Sequence, residues 1–135
     1  MQIEVGEEYK RSQLHDAFGG NRQGGIASCA KADIVFLFTG ETGEQYGYSD
    51  GWDGEYFMYT GEGQVGDMLF ARGNAAVRDH AQNGKRLILM QTTQPTFVEV
   101  VGEFACVDYE YFDAPDKDKM SRRAIRFVLE KAVGS

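Results

Sequence analysis

Apolar positions along the chain form short runs that glycines and polar turns separate. Residues 33–39, DIVFLFT, are almost continuously apolar, a pattern typical of a strand buried on both faces. Segments 55–63 and 85–93 also predict strands, because β-branched, aromatic and aliphatic residues dominate them. Residues 95–112 predict either two strands or one long bent strand with a bulge at Gly102.

The last periodic segment, 121–132, fits two elements. Ile125, Phe127 and Leu129 alternate as they do in a strand, and the same residues also permit a helix. We interpret the segment as a strand.

Two segments predict short helices. In residues 11–18, RSQLHDAF, Leu14 and Phe18 are spaced i, i+4 on one face, and Gly19 is suited to end the helix. The second helix is predicted over 74–83. Its start can be capped by Asn74 or Gly73 and its end by Gly84, while residues 21–28 form a loop after the first helix.

This pattern gives five to seven strands, two short helices and mostly antiparallel connections. We therefore expect an α+β fold, a curved, mostly antiparallel β-sheet or small barrel with two short helices. A length of 135 residues predicts a single domain over 1–135. The chain has 17 glycines but only 2 prolines, which suits turns and bulges rather than a disordered chain.

Charge is unevenly distributed. The formal net charge is −7, yet residues 32–67 contain eight acids and no lysine or arginine, and they supply the whole excess. A long phosphate track needs a domain-wide basic stripe, so non-specific binding to nucleic acid is disfavoured. A local basic patch beside an acidic face remains compatible with this distribution.

Few residues suggest catalysis or a metal. His15 and His80 each adjoin an aspartate, but neighbours on a helix do not face each other, so neither pair forms a triad. The acids between 50 and 67 fit a metal site or a glycosidase pair less well than a solvated loop. We expect no catalytic residue, no metal and no cofactor.

Location follows from similar reasoning. No apolar run is long enough to cross a membrane, and the N-terminus lacks the apolar core of a signal peptide. We expect a cytoplasmic protein without membrane contact.

Aromatic residues crowd one region of the sequence. They are Tyr46, Tyr48, Trp52, Tyr56, Phe57 and Tyr59. Some of these rings belong in the core, and others lie on a glycine-rich backbone where they can form the wall of a pocket. Arginines and a lysine elsewhere can contact phosphate alongside, namely Arg22, Lys31, Arg72 and Arg78.

Three segments together resemble a known family. FGGNRQGGI (18–26), VFLFTGETGEQYGYSDGW (35–52) and YTGEGQVGDMLFARGNAAVRDH (59–80) look like the sulfur-binding domains of McrA-like type IV restriction endonucleases. The resemblance covers roughly 9–130. It implies a fold of the SRA and PUA-like group and binding of double-stranded DNA with a phosphorothioate linkage.

An HNH nuclease domain commonly follows such domains. This chain ends at LEKAVGS and has only two histidines and two cysteines. We therefore expect a binding domain without nuclease activity, whose partner is a C-terminal or separate nuclease domain.

The resemblance also implies a site. A pocket that prefers sulfur should be a shallow, apolar surface pocket with a cation nearby. Asn21 and Arg22 would supply the cation and one wall, and Tyr48 and Ser49 the other, with Ser49 standing where relatives carry a proline. The full set of candidate residues is Asn21, Arg22, Gln23, Tyr46, Tyr48, Ser49, Arg72, Asn74 and Arg78.

Within that set, Arg72 and Asn74 are phosphate-contact candidates, because they precede a helix N-terminus. Candidates for base edges are Arg22, Arg78, Lys31 and Gln23, with Arg22 favoured for the backbone.

Two alternatives stay open. An SRA-like reader of a modified base, such as methylcytosine, would turn the base into a deep aromatic pocket. A small acidic enzyme would instead use the carboxylates of residues 41–67.

Overall fold

The computed structural model describes residues 2–40 and 50–132, which form eight strands and two short helices. In chain order these are β1 (Glu8–Lys10), α1 (Arg11–Phe18), β2 (Ile26–Ser28), β3 (Ile34–Thr39), β4 (Gly51–Asp53), β5 (Tyr56–Thr60), α2 (Gly73–Arg78), β6 (Arg86–Gln94), β7 (Phe97–Pro115) and β8 (Ser121–Lys131). Neither helix reaches the length and hydropathy that crossing a bilayer needs.

All the described strands belong to one sheet. Its order is β2-β3-β6-β7-β8-β5-β4, and β1 pairs with β7. Every pair is antiparallel except β3 with β6, which is parallel. Between the described ends, β2 and β4, the sheet is not closed by strand pairing. The expected α+β fold is confirmed as a mixed, mostly antiparallel sheet rather than a barrel.

The parallel pair forms the centre of the core, and both of its faces are buried. On β3, Val35 and Leu37 enter one apolar cluster, with Val77 of α2. Phe36 lies in a second cluster on the opposite face, where Leu14 of α1 covers it. This two-sided burial explains why residues 33–39 are continuously apolar instead of alternating.

The first helix has the predicted bounds, and the second does not. Gly19 ends α1 with a φ of 82°, and its N–H donates to the carbonyl of His15 at 2.8 Å. The prediction for α2 was wrong at its end, because the helix stops at Arg78. His80 fixes the following turns outside the helix. Its Nδ1 bonds the Lys85 carbonyl, and its Nε2 accepts the Cys106 N–H.

Three strand predictions are settled by the structure. Residues 97–112 form part of one long strand, β7, after a turn at residues 95–96, and the register of β7 shifts beside Gly102 and again near Val107. The segment 121–132 is a strand, β8, as expected. The predicted loop 21–28 was wrong in part, because β2 begins at Ile26 and pairs with β3.

A buried tyrosine joins two distant parts of the sheet. The Tyr59 hydroxyl on β5 lies 2.8 Å from the Gly25 carbonyl and 3.0 Å from the Phe38 carbonyl, beside β2 and β3. Gly25 also accepts the Phe38 N–H at 2.7 Å. A side chain at Gly25 would place its Cβ 2.8 Å from the Tyr59 hydroxyl, so the close approach requires glycine. We call this junction the seam.

Removing the seam hydroxyl should destabilise the fold. For Tyr59→Phe we expect the free energy of unfolding to fall by about 1–3 kcal/mol, because the buried Phe38 carbonyl loses its hydroxyl donor. Urea titration measures this. Tyr56→Phe, a partly exposed tyrosine on the same strand, is the control. Equal effects of the two substitutions would contradict the role given to the seam.

Candidate functional site: a polar pocket at the seam

A pocket of about 280 Å³ lies directly at the seam. Strands β3 and β5 and the start of α1 form its walls. The residues that give it chemical character are Arg11, Phe38, Thr39, Asp50, Tyr59 and Thr60. The curled sheet therefore places a ring, a carboxylate, hydroxyls and a guanidinium around one space.

Asp50 is fixed by both strand ends. One carboxylate oxygen accepts the Thr39 hydroxyl at 2.9 Å, and the other accepts the backbone N–H of Thr60 at 2.8 Å. A carboxylate has about four acceptor sites, so acceptor capacity remains for a ligand. Asp50 thus presents an oriented acceptor in the pocket.

Thr60 and Tyr59 place two further polar groups beside the pocket. The Thr60 hydroxyl is closed off from solvent and has no hydrogen-bond partner within the described chain. Burial, together with Asp50 and Glu62, raises the pKa of Tyr59 well above its usual value. The phenol therefore keeps its proton and its bonds across the seam.

A cation enters the pocket from α1. The Arg11 guanidinium lies 3.7 Å above the Phe38 ring, and its Nη2 donates to the Gly24 carbonyl at 2.9 Å. Its Nε donates to His15 Nε2 at 3.0 Å. His15 Nδ1 faces the Gly19 carbonyl, an acceptor only, so the ring is neutral with its proton on Nδ1.

Asn74 has a structural role. It is buried, its Oδ1 accepts the Glu62 N–H, and its Nδ2 donates to the carbonyls of Glu62 and Leu69. Both amide hydrogens are used inside the protein, and the role of this side chain as a phosphate contact stays a prediction. Glu62 itself accepts the N–H of Gly73, and burial raises its pKa.

The other predicted residues that the structure describes lie outside the pocket. Asn21, Arg22 and Gln23 are exposed in the loop after α1, and Arg22 forms an ion pair with Asp16. The hydrogen bond from Arg22 is the main reason that the pKa of Asp16 lies below its usual value. Their roles in binding stay predictions.

The predicted arginines near α2 form a separate group. Arg72 is exposed before the helix, with a φ of 51°. Arg78 ends the helix, bonds Asp79 through two nitrogens and lies 4.6 Å from the Phe70 ring. Tyr46, Tyr48 and Ser49 lie outside the described residues. In the part described, no hydrogen bond or ion pair links the α2 group to the loop at 21–23.

Sequence reasoning missed most of the pocket. It treated Asp50 and Glu62 as members of a solvated acidic loop, but both line the pocket beside Tyr59. Alternation within β5, which turns Phe57 and Tyr59 inward, was the available indication. Within residues 2–40 and 50–132, no group of acids, histidines or cysteines has the geometry to hold a metal ion.

Comparison with known families covers almost the whole chain. The model of the SRA domain of ScoMcrA-like proteins matches residues 5–135. The chain belongs to this SRA domain family. The expected resemblance to McrA-like proteins is thereby confirmed. Among curated proteins, none is significantly similar in sequence.

Solved structures agree with this SRA assignment. The sulfur-binding domain and SRA domain of ScoMcrA, complexed with phosphorothioated DNA, superposes with a TM-score of 0.78 at 25% identity. The type IV phosphorothioation-dependent restriction endonuclease ScoMcrA gives 0.77 at 25% identity. Both superpositions cover 97% of this SRA domain, but it spans only 40% and 28% of the two ScoMcrA chains.

A more distant structure supports the fold alone. The SUVH5 SRA domain, in complex with hemi-methylated CG DNA, gives a TM-score of 0.70 at 19% identity, with 100% of this chain and 92% of that chain covered.

The neutral state of His15 predicts how stability responds to pH. Burial is the main cause that lowers its pKa below 6.5, and the cations Arg11 and Arg22 act in the same direction. The unfolded chain then binds more protons as the pH falls below 6.5, so acid destabilises the fold. Unfolding free energies of the native protein and His15→Gln, measured between about pH 5 and 8, should show a smaller acid loss in the variant. Equal acid losses would contradict this assignment.

Proposed function

We propose that this SRA domain binds duplex DNA carrying a modified nucleotide, and that the seam pocket receives the modified base turned out of the helix. The observation that carries the proposal is the pocket itself, in which the Thr39 hydroxyl and the Thr60 N–H orient the Asp50 carboxylate. The domain would serve as the targeting module of a modification-dependent restriction system, with cleavage performed by a C-terminal or separate nuclease.

The size of the pocket suits one base. Its volume of about 280 Å³ is close to the lower end of small-ligand pockets, about 300–1,000 Å³. Enzymes and readers that extrude a base place it in such a pocket and contact its Watson–Crick edge.

The polar groups suit a base with an exocyclic amine. Asp50 can accept the amine hydrogens through acceptor sites that Thr39 and Thr60 leave free. Cytosine and adenine both carry such an amine, whereas thymine carries a carbonyl oxygen at that position. Cytosine is the smaller of the two bases, and we propose a modified cytosine.

Phosphorothioate DNA is the second candidate, and the ScoMcrA complex with phosphorothioated DNA at 25% identity favours it. That structure contains a sulfur-binding domain and an SRA domain, whereas the family matched here is that of the SRA domain. A sulfur site should be shallow and apolar, which differs from the seam pocket. Sulfur recognition would therefore use the exposed loop with Asn21, Arg22 and Gln23.

A competition experiment separates the candidates. Three duplexes of identical sequence carry one 5-methylcytosine, one phosphorothioate linkage, or neither. We expect the methylated duplex to compete most strongly for the purified domain. A preference for the sulfur duplex would favour the second candidate, and equal affinities for all three would contradict both.

Asp50 provides the sharpest test of the base pocket. Asp50→Asn should weaken binding of the modified duplex by about 1.5–3 kcal/mol, because a charge-assisted acceptor for the base amine is lost. Binding to unmodified duplex should not change. Asp53→Asn, which removes the same charge from an exposed position on β4, is the matched control. Equal losses of affinity in both variants would show a general electrostatic effect instead of a contact between Asp50 and the base.

Arg22 tests the contribution of the loop. Arg22→Ala should weaken DNA binding roughly tenfold to a hundredfold, the scale of one charge-assisted hydrogen bond, and should leave the thermal midpoint nearly unchanged, since the side chain is exposed. Asp16→Asn, which frees Arg22 from its ion pair, should not weaken binding. Unfolding of the Arg22 variant would show that the arginine is structural.

A further inference from the structure

Arg11 is held in the pocket wall by several contacts at once. Its Nε and Nη2 are occupied by His15 and the Gly24 carbonyl, and Phe38 supports the face of the guanidinium. Within the described chain, Nη1 has no hydrogen-bond partner. The side chain is thus fixed in place while part of its donor capacity is free.

Among residues 2–40 and 50–132, no acid forms an ion pair with Arg11. The described ion pairs involve other arginines. Asp50 bonds Thr39 and Thr60, and Glu62 bonds the N–H of Gly73. Burial lowers the pKa of Arg11 below its usual value, yet a guanidinium stays charged at neutral pH. A half-buried cation of this kind gains most from a ligand that brings an acceptor.

The position of Arg11 indicates which part of a nucleotide it meets. Asp50, which would accept the amine of the base, forms no ion pair with Arg11 among the described contacts. The two groups are therefore not in contact with each other, and each can meet a different atom of a ligand in the pocket. Away from the Watson–Crick edge, a pyrimidine nucleotide offers its 5-substituent and its phosphate.

We propose that Arg11 determines the specificity of the pocket by donating to an oxygen acceptor of the extruded nucleotide outside its Watson–Crick edge. This inference rests on the proposed function. An oxygen on the modification, as in a 5-hydroxymethyl or 5-carboxyl group, and an oxygen of the flanking phosphate offer the same chemistry. A 5-methyl group offers none.

The experiment measures affinities for matched duplexes with cytosine, 5-methylcytosine, 5-hydroxymethylcytosine or 5-carboxylcytosine at one site. A second set replaces the flanking phosphate by a neutral methylphosphonate. Arg11→Met removes the donor and keeps much of the apolar stem. Arg86→Met is the control, because it removes the same charge. Arg86 lies at the start of β6, where it pairs with Ile34 of β3.

For an acceptor on the base, we expect the native domain to prefer the oxygen-bearing bases over 5-methylcytosine about tenfold. Arg11→Met should abolish that preference, and Arg86→Met should keep it. For an acceptor on the phosphate, Arg11→Met should weaken all modified duplexes equally, and the methylphosphonate should remove the difference between the variant and the native domain.

Three results would overturn the inference while leaving the proposed function intact. Arg11→Met could match the native domain on every duplex, it could weaken the 5-methylcytosine, oxygen-bearing and methylphosphonate duplexes all by the same factor, or it could match Arg86→Met. Thermal unfolding of each variant identifies a loss of fold. Arg11→Lys, which retains the charge, is measured in the same way. A native domain that does not distinguish any modified cytosine from cytosine contradicts the proposed function instead.

Discussion

The hydroxyl of Tyr59 is the contact on which the pocket depends. Strand pairing alone leaves the described sheet open between β2 and β4. The hydroxyl brings β5 against the carbonyls of Gly25 and Phe38. Thr39 and Thr60, the next residues along β3 and β5, are then close enough for the Asp50 carboxylate to accept a hydrogen bond from each.

This arrangement gives a strongly acidic chain a selective site. The eight acids of residues 32–67 contribute general repulsion of polyanions, but Asp50 and Glu62 are held by internal donors and line the pocket. Arg11 adds one fixed cation opposite the carboxylates. Selectivity then comes from a few oriented groups in a confined space, where each unsatisfied donor or acceptor is costly, and not from broad phosphate attraction.

Sequence patterns predicted the elements better than the site. The helix Arg11–Phe18, the buried strand at 33–39 and the bent strand with its irregularity at Gly102 follow from local propensity and apolar periodicity, and all are present. The end of α2 depended on contacts of His80 with residues distant in sequence, which no local pattern contains.

The pocket is non-local in the same sense. Arg11, Phe38, Asp50 and Thr60 come from four separate elements or connections, and only the curled sheet brings them together. The resemblance to McrA-like domains identified the family correctly, but it directed attention to loop residues such as Arg22 that lie outside the pocket.

The most direct test of this account is the crystal structure of the domain with a duplex that carries one 5-methylcytosine. The account predicts that the modified base leaves the helix and lies in the seam pocket, with its amine on Asp50 and its ring beside Tyr59. A complex in which the base stays stacked in the duplex and the pocket holds only water would contradict it.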